Sequence, residues 1–334
     1  MHLFLDDPAQ AVPTALRGLE AAHPGLVRVD HRQRVVYRRE PARGKVSLVS
    51  GGGAGHEPLH SGYVGVGMLD AACVGELFTA PVPDQVVAAS TGTDTGAGVL
   101  HVVKNYAGDV LAFELAAEAV ADRGGPAVEA VVVADDVSLP AEDGGGPGVG
   151  RRGTGLTVLV ERLMGAAAEE GRGLADCAAL GRALCAEGGS MAVAVPGATS
   201  AAADAPARAD GGIEVGVGIH GEPGTRRGPV LPARDLADLL VGAVRTDLGL
   251  VRGDAVILLL SGLGGTPLLH LQALYAEVLG RLAAAGVAVA RGLVGDYVTS
   301  LASPGCSLTL LRADVERVRL WDTPVATPAL RWGV

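Results

Sequence analysis

The stretch VSLVSGGGAGHEP, residues 46–58, decides how this chain is read: a strand-like run breaks into glycines and delivers a histidine, His56. A second construction of the same kind, VGVGIHGEPG at residues 215–224, delivers His220. Glycines after a parallel strand let the backbone turn sharply and expose N–H groups to a ligand. The first segment has neither GxGxxG nor GxxxxGK[ST] spacing, so a dinucleotide or Walker reading fails on it. Two strand-to-glycine-to-histidine segments predict two imidazoles brought to one cleft.

Working outward, residues 8–19 can form a helix, and residues 27–38 carry β-branched spacing that is strand-like. Residues 45–50 read as a strand running directly into the glycine turn. A helix at 83–89 and a strand at 99–104 follow. That strand ends in Asn105-Tyr106-Ala107-Gly108-Asp109, before an alanine-rich helix at 110–121. Asp109 thus falls at a strand-to-helix turn, where an N-cap is the ordinary role and a catalytic carboxylate the alternative. The continuous β-branched run 128–134 has the look of a buried parallel strand. Asp135 and Asp136 close it as capping residues in preference to a Mg²⁺ pair, since no third acid is near.

A glycine-rich loop at 142–153 leads to helices at 156–170 and 174–186. Then come a strand at 190–195, a small-residue connection at 197–212, and the run 213–219 that carries His220. Helices at 234–248 and 268–285 alternate with strands at 255–260, 287–293 and 307–311. The alternation predicts an α/β protein of two domains, 1–186 with His56 and Asp109 and 187–334 with His220. Each would be a mostly parallel or mixed sheet flanked by helices.

Composition narrows the function. At 334 residues and 49% hydrophobic, the chain can bury a core in each domain. The longest aliphatic block, residues 255–260, is much too short to cross a bilayer, so no membrane span is expected. A formal charge of −10 with no dense basic run repels phosphate backbones and anionic lipid, which argues against nucleic acid or a membrane surface as partner. Lys45 and Lys104 are the only lysines, and Lys104 reads equally well as a surface charge or a site residue. Cys73, Cys177, Cys185 and Cys306 show no CxxC spacing, which predicts buried thiols rather than disulfides or a zinc site. With no secretory pattern at the amino terminus, the expected compartment is the cytoplasm.

Imidazole can act as nucleophile or general acid and base, and a carboxylate can accept a hydroxyl proton. There is no GxSxG elbow. The residues alone therefore point to group transfer on a small hydroxylated or carbonyl substrate.

Several longer motifs go further: LVSGGGAGHEPLHSGYVGVGML, VKNYAGDVLAFELAAE, DDVSLP, GRRGTGLTVLVERLMGAAAEEG, GIHGEPG, LVGDYVTSL, and CSLTLL with LWDTPVATPAL. In register from the first helix to the carboxyl terminus, they resemble the dihydroxyacetone kinase family, specifically its substrate-binding subunit of the phosphotransferase-system-dependent type. The resemblance implies a homodimer of two-domain α/β subunits. It implies that His220 bonds to the ketone carbon of dihydroxyacetone as a hemiaminal, that His56 hydrogen-bonds the substrate, and that Asp109 is the base toward the hydroxyl receiving phosphate. Gly53 and Lys104 would line the same pocket. No cofactor would be tightly bound in this chain; ADP or ATP with Mg²⁺ would sit on a separate helical kinase subunit.

Three positions depart from the family pattern. Phe78-Thr79-Ala80-Pro81 stands where FxSP is expected, residues 301–305 where LDMxG is expected, and KNYAGD replaces KNYTGD. These leave open a related ketose such as erythrulose. A ketone sensor that regulates transcription is the alternative from another class, and retention of Asp109 favours the kinase subunit.

Overall fold

A computed structural model describes residues 5–140, 150–195 and 212–334. The expected loop at 142–153 lies mostly, and the connection at 197–212 almost wholly, outside the described residues. After a 3-10 turn at Pro8–Gln10, the first half runs α1 (Ala11–Ala22), β1 (Val27–Asp30), β2 (Val35–Arg38), β3 (Ser47–Ala54), β4 (Ala71–Leu77), α2 (Pro83–Thr93), β5 (Val99–Lys104), α3 (Ala107–Asp122) and β6 (Val128–Val133). These strands form one six-stranded sheet in the order β1-β2-β4-β3-β5-β6. β4, β3, β5 and β6 are parallel, and the β1–β2 hairpin adds antiparallel at one edge. The parallel set aims the carboxyl ends of β3 and β5, and hence His56 and Asp109, at the same edge of the sheet.

Two helices, α4 (Leu156–Glu169) and α5 (Leu174–Ala186), lead to the second sheet. It is built from β7 (Gly188–Ala194), β8 (Gly212–Val215), β9 (Arg226–Pro229), β10 (Ala255–Gly262), β11 (Ala288–Gly295) and β12 (Gly305–Arg312), with α6 (Ala233–Asp247) and α7 (Leu268–Ala285) interleaved. Its order is β11-β10-β12-β7-β8-β9, and only the β10–β11 pair is parallel. The mixed α/β class expected from the sequence holds for both sheets.

Two local expectations are corrected. The glycines at 51–53 are not a turn: β3 continues through them to Ala54, with Gly51 opposite Cys73 and Gly52 opposite Val74. They are glycines because of what lies against them, as the site shows below. The run 128–133 is not a buried central strand either. As β6 it forms the sheet edge, with Val131 and Val133 buried while Val132 points to solvent. A continuous apolar run is ambiguous between these cases, and only the strand order resolves them. Sequence reading also passed over α8 (Val315–Asp322), whose charged residues mask its periodicity. Its start is nonetheless marked by Asp314, whose carboxylate accepts the N–H of Arg317.

α4 is the element on which the two sheets close. Every residue from Leu156 to Ala168 is buried, so the helix has no solvent face, as an all-round apolar sequence requires. Its Leu159 and Leu163 belong to a single apolar cluster that includes Leu48 and Val102 of the first sheet and Ile257 and Leu311 of the second. A charged residue in such a helix needs hydrogen-bond partners, and the terminal nitrogens of Arg162 have them, whereas its Nε has none among the described residues. Arg162, with no exposed surface, donates to the carbonyls of Gly67, Leu320 and Trp321 at 3.0, 3.0 and 2.8 Å, and to the carbonyl and hydroxyl of Thr323 at 2.5 and 2.9 Å. It thereby ties the carboxyl-terminal segment, which continues as β13 (Val325–Ala326) and β14 (Arg331–Trp332), back to the first half of the chain. Replacing Arg162 with Met keeps the volume but strands these acceptors, and should destabilise the fold by about 3 kcal/mol or more in urea denaturation. An unchanged denaturation midpoint would show that the tail is held by its apolar contacts alone.

Candidate functional site

His56 and His220 meet. Their rings stand edge to face with centroids 4.7 Å apart, although 164 residues separate them in the chain. Phe78 packs against both, at 5.0 Å from His56 and 5.9 Å from His220, and Tyr106 closes on His220 at 4.4 Å. The result is an aromatic enclosure around one partly accessible imidazole: the His220 side chain retains 21% exposure, whereas His56 is 1% exposed.

The tautomers follow from the partners. His56 Nδ1–H donates to the carbonyl of Thr299 at 2.8 Å, and His56 Nε2 has no partner. Burial, with His220 and Lys104 nearby, pulls its pKa down to about 3, so the ring is neutral at physiological pH and Nε2 offers a bare lone pair. Nδ1 of His220 lies 3.1 Å from Oε1 of Glu222, and Oε2 of Glu222 accepts the backbone N–H of His220 at 2.9 Å. Burial works to raise the pKa of Glu222, but the hydrogen bond and charge of His220 outweigh it and bring the carboxyl to about 2. An anionic carboxylate can only accept, so neutral His220 carries its proton on Nδ1 and presents Nε2 as the nucleophilic atom. Glu222 is the member of GIHGEPG whose role the sequence reading left unassigned; its signal is the two-residue spacing from the histidine.

Lys104 and Asp109 form the other half. Lys104, the last residue of β5, is completely buried, which rules out the surface reading. Its Nζ donates to Oδ2 of Asp109 at 3.0 Å and to the carbonyl of Gly51 at 3.3 Å. Asp109 lies in the first turn of α3, but the N-cap is Tyr106 and no side chain caps that helix, so the expected N-cap role gives way to a buried ion pair. The site chain is continuous: Tyr106, between Lys104 and Asp109, is the residue against His220.

The glycines of β3 make room for these groups. A Cβ on Gly52 would collide with Lys104 Nζ, and one on Gly53 would come within 2.5 Å of Thr79 N and 2.8 Å of the Phe78 carbonyl carbon. Gly53 thus lies directly against the Phe78–Thr79 backbone, which leaves no room for a side chain. Asp135 does cap, although from a distance: its carboxylate accepts the N–H of Thr154 at 2.5 Å and of Leu156, the first residue of α4, at 2.9 Å. Asp136 instead pairs with Arg152. Among the described residues no group of three or more His, Cys, Asp or Glu is arranged to hold a metal ion, and no helix is long and apolar enough to cross a membrane. All four cysteines are free thiols, three of them buried.

Comparison with known proteins places this arrangement. The model of the Dak1 domain matches residues 17–329. The chain is 42% identical over 359 residues to the PEP-dependent dihydroxyacetone kinase, dihydroxyacetone-binding subunit DhaK, of Escherichia coli K12, covering all of both chains. Among solved structures, the dihydroxyacetone kinase of C. freundii in complex with AMP-PNP and Mg²⁺ superposes with a TM-score of 0.87 at 31% identity, over 99% of this chain and 61% of that one. A dihydroxyacetone kinase operon co-activator, Dha-DhaQ, superposes equally well, with a TM-score of 0.87 at 30% identity over 95% and 97% of the two chains. With a family model spanning nearly its whole length and full-length identity of this order, the chain belongs to the dihydroxyacetone kinase family.

Proposed function

We propose that this chain is the dihydroxyacetone-binding subunit of a dihydroxyacetone kinase, which captures the ketone covalently through His220 and presents its hydroxyl to a phosphoryl donor on a separate nucleotide-bearing subunit. The observation that carries this reading is the meeting of the His56 and His220 rings, with His56 Nε2 left without a partner among the described residues, beside a buried carboxylate. Nε2 of His220 attacks the carbonyl carbon, forming the C–N bond while the π electrons move to oxygen. The ring must then shed its Nδ1 proton, which Glu222 is placed to accept, and the carbonyl oxygen takes a proton from solvent, which reaches the partly exposed His220, to complete the hemiaminal. His56 accepts a hydrogen bond from a substrate hydroxyl. Gly53 and Lys104 line the pocket, and Asp109 takes the proton of the hydroxyl that receives phosphate. A polyol without an electrophilic carbon cannot form the C–N bond, so selection against glycerol is built into the chemistry. The adduct also fixes the hydroxyl for in-line transfer.

The donor is expected on a helical partner holding ADP or ATP with Mg²⁺, in keeping with a transfer that needs mainly positioning and charge from the protein. A homodimer, a cytoplasmic setting, and the division into domains at residues 186/187 belong to the same reading. The sensor alternative gains from the likeness to the operon co-activator. It is disfavoured by the Lys104–Asp109 pair, which capture of a carbonyl does not require.

Three outcomes test the reading. In native mass spectrometry dihydroxyacetone should add its mass to the intact chain, and His220→Ala should abolish the addition; an adduct persisting in that variant sinks the assignment. Asp109→Asn should retain the adduct but lower phosphorylation by about two orders of magnitude with the partner present, the usual yield of general-base catalysis. The purified chain with ATP, Mg²⁺ and dihydroxyacetone should form no triose phosphate until a helical nucleotide subunit and a phosphate source are added. Erythrulose run in parallel reports the ketose range left open by Ala80. ATP-dependent turnover by the chain alone would overturn the two-component scheme.

A further inference from the structure

Behind Lys104 lies a second buried pair that the reaction above does not use. His60 follows β3 in the chain and is 5% exposed; Glu161 comes from the middle of α4 and has no exposed surface. Nε2 of His60 is 3.2 Å from Lys104 Nζ. Nδ1 of the same ring is 2.6 Å from Oε1 of Glu161 and 3.0 Å from the hydroxyl of Ser50. That hydroxyl donates its own proton to the carbonyl of Val102 at 2.7 Å, so toward His60 it can only accept.

An ammonium has three protons, and Lys104 Nζ has three acceptors around it: the Gly51 carbonyl at 3.3 Å, Asp109 Oδ2 at 3.0 Å and His60 Nε2 at 3.2 Å. The third bond exists only if Nε2 is bare. The His60 proton must then sit on Nδ1, where Glu161 and Ser50 are both placed to receive it. We propose that His60 and Glu161 are positioning residues: Glu161 sets the tautomer of His60, His60 fixes the Lys104 ammonium, and the ammonium holds the Asp109 carboxylate in place. The proposal rests on the reading of Asp109 as the base.

The charges nearby agree with it. The titratable groups facing Lys104 are Asp109 from α3, His60 and His56 from the segment after β3, and Glu161 from α4. Burial, together with the nearby Lys104 ammonium, holds the pKa of His60 well below the ordinary histidine range, so the ring is neutral. Burial pushes Glu161 up to about 8 against the pull of Ser50 and Lys104, and a carboxyl in either protonation state can accept at Oε1. A neutral His60 bonded on both sides adds no second positive charge beside the ammonium, which an imidazolium would do.

The test uses the full chain with its nucleotide-bearing partner. His60→Phe removes the acceptor for Lys104, Glu161→Leu removes the acceptor for His60, and Glu161→Gln restores a carbonyl at the same place. In the first two, the acid limb of the kcat–pH profile should move up by about one unit or more as the ammonium loosens from Asp109, and kcat should fall more than KM changes. The dihydroxyacetone adduct should persist, and Glu161→Gln should lie nearer wild type. Independently of catalysis and of any variant, ¹⁵N NMR of the wild-type chain should find the His60 proton on Nδ1. A proton on Nε2, or profiles of His60→Phe and Glu161→Leu that coincide with wild type, would overturn the proposal. An Asp109→Asn variant in the same assay separates the two failures. Normal turnover there overturns the base reading and this one with it, whereas impaired turnover beside unshifted profiles overturns the positioning chain alone.

Discussion

One buried positive charge governs this site. An ammonium taken wholly out of water is destabilising by several kcal/mol unless it is paired and each proton is accepted. Lys104 meets that demand with groups drawn from four places in the sequence: the Gly51 carbonyl, Asp109, His60, and Glu161 behind His60. Much of the local sequence follows from it. Position 52 must be glycine because the ammonium occupies the space of a side chain there. α4 must carry a glutamate in an otherwise apolar stretch, and α3 must open with an aspartate turned inward rather than capping its own helix.

The histidine half of the cleft obeys a different constraint. Two imidazoles whose centroids are 4.7 Å apart cannot readily both be charged, and here each directs a proton away from the other. His56 is desolvated and donates to the Thr299 carbonyl; His220 directs its proton at Glu222. Both free nitrogens are thereby left as lone pairs. Phe78 and Tyr106 pack around the rings without competing for those nitrogens, since neither offers them a hydrogen bond.

The sequence made the α/β alternation legible, because helices with clear periodicity, such as 174–186 and 268–285, coincide with α5 and α7 to the residue. The meeting of His56 and His220 was also foreseen, since both follow strand-to-glycine segments. What sequence reading missed shares one property, which is that its cause lies across the fold. The glycines at 51–53 read as a turn because Lys104 and the Phe78–Thr79 backbone, which require them, are distant in the chain. His60, in His-Glu-Pro-Leu-His-Ser, and Glu161, beside Arg162, carried no signal that pairs them, and only their contact across 101 residues gives them meaning.

The two halves also weigh the competing functions. A protein that only senses a ketone needs an electrophile trap, and His220, Glu222 and His56 supply one without help from Lys104. A buried carboxylate–ammonium pair backed by a second buried pair adds nothing to that capture, and replacing such groups with packed apolar residues is often neutral or stabilising. A chain relieved of phosphoryl transfer would therefore be free to lose Asp109, His60 and Glu161 together. All three are retained, in contact through Lys104 and His60, beside the wall of the cleft that holds Gly53 and Phe78. Four desolvated polar side chains joined in this way fit the proposed uptake of a proton at Asp109, which transfer to a hydroxyl demands and binding of a carbonyl does not.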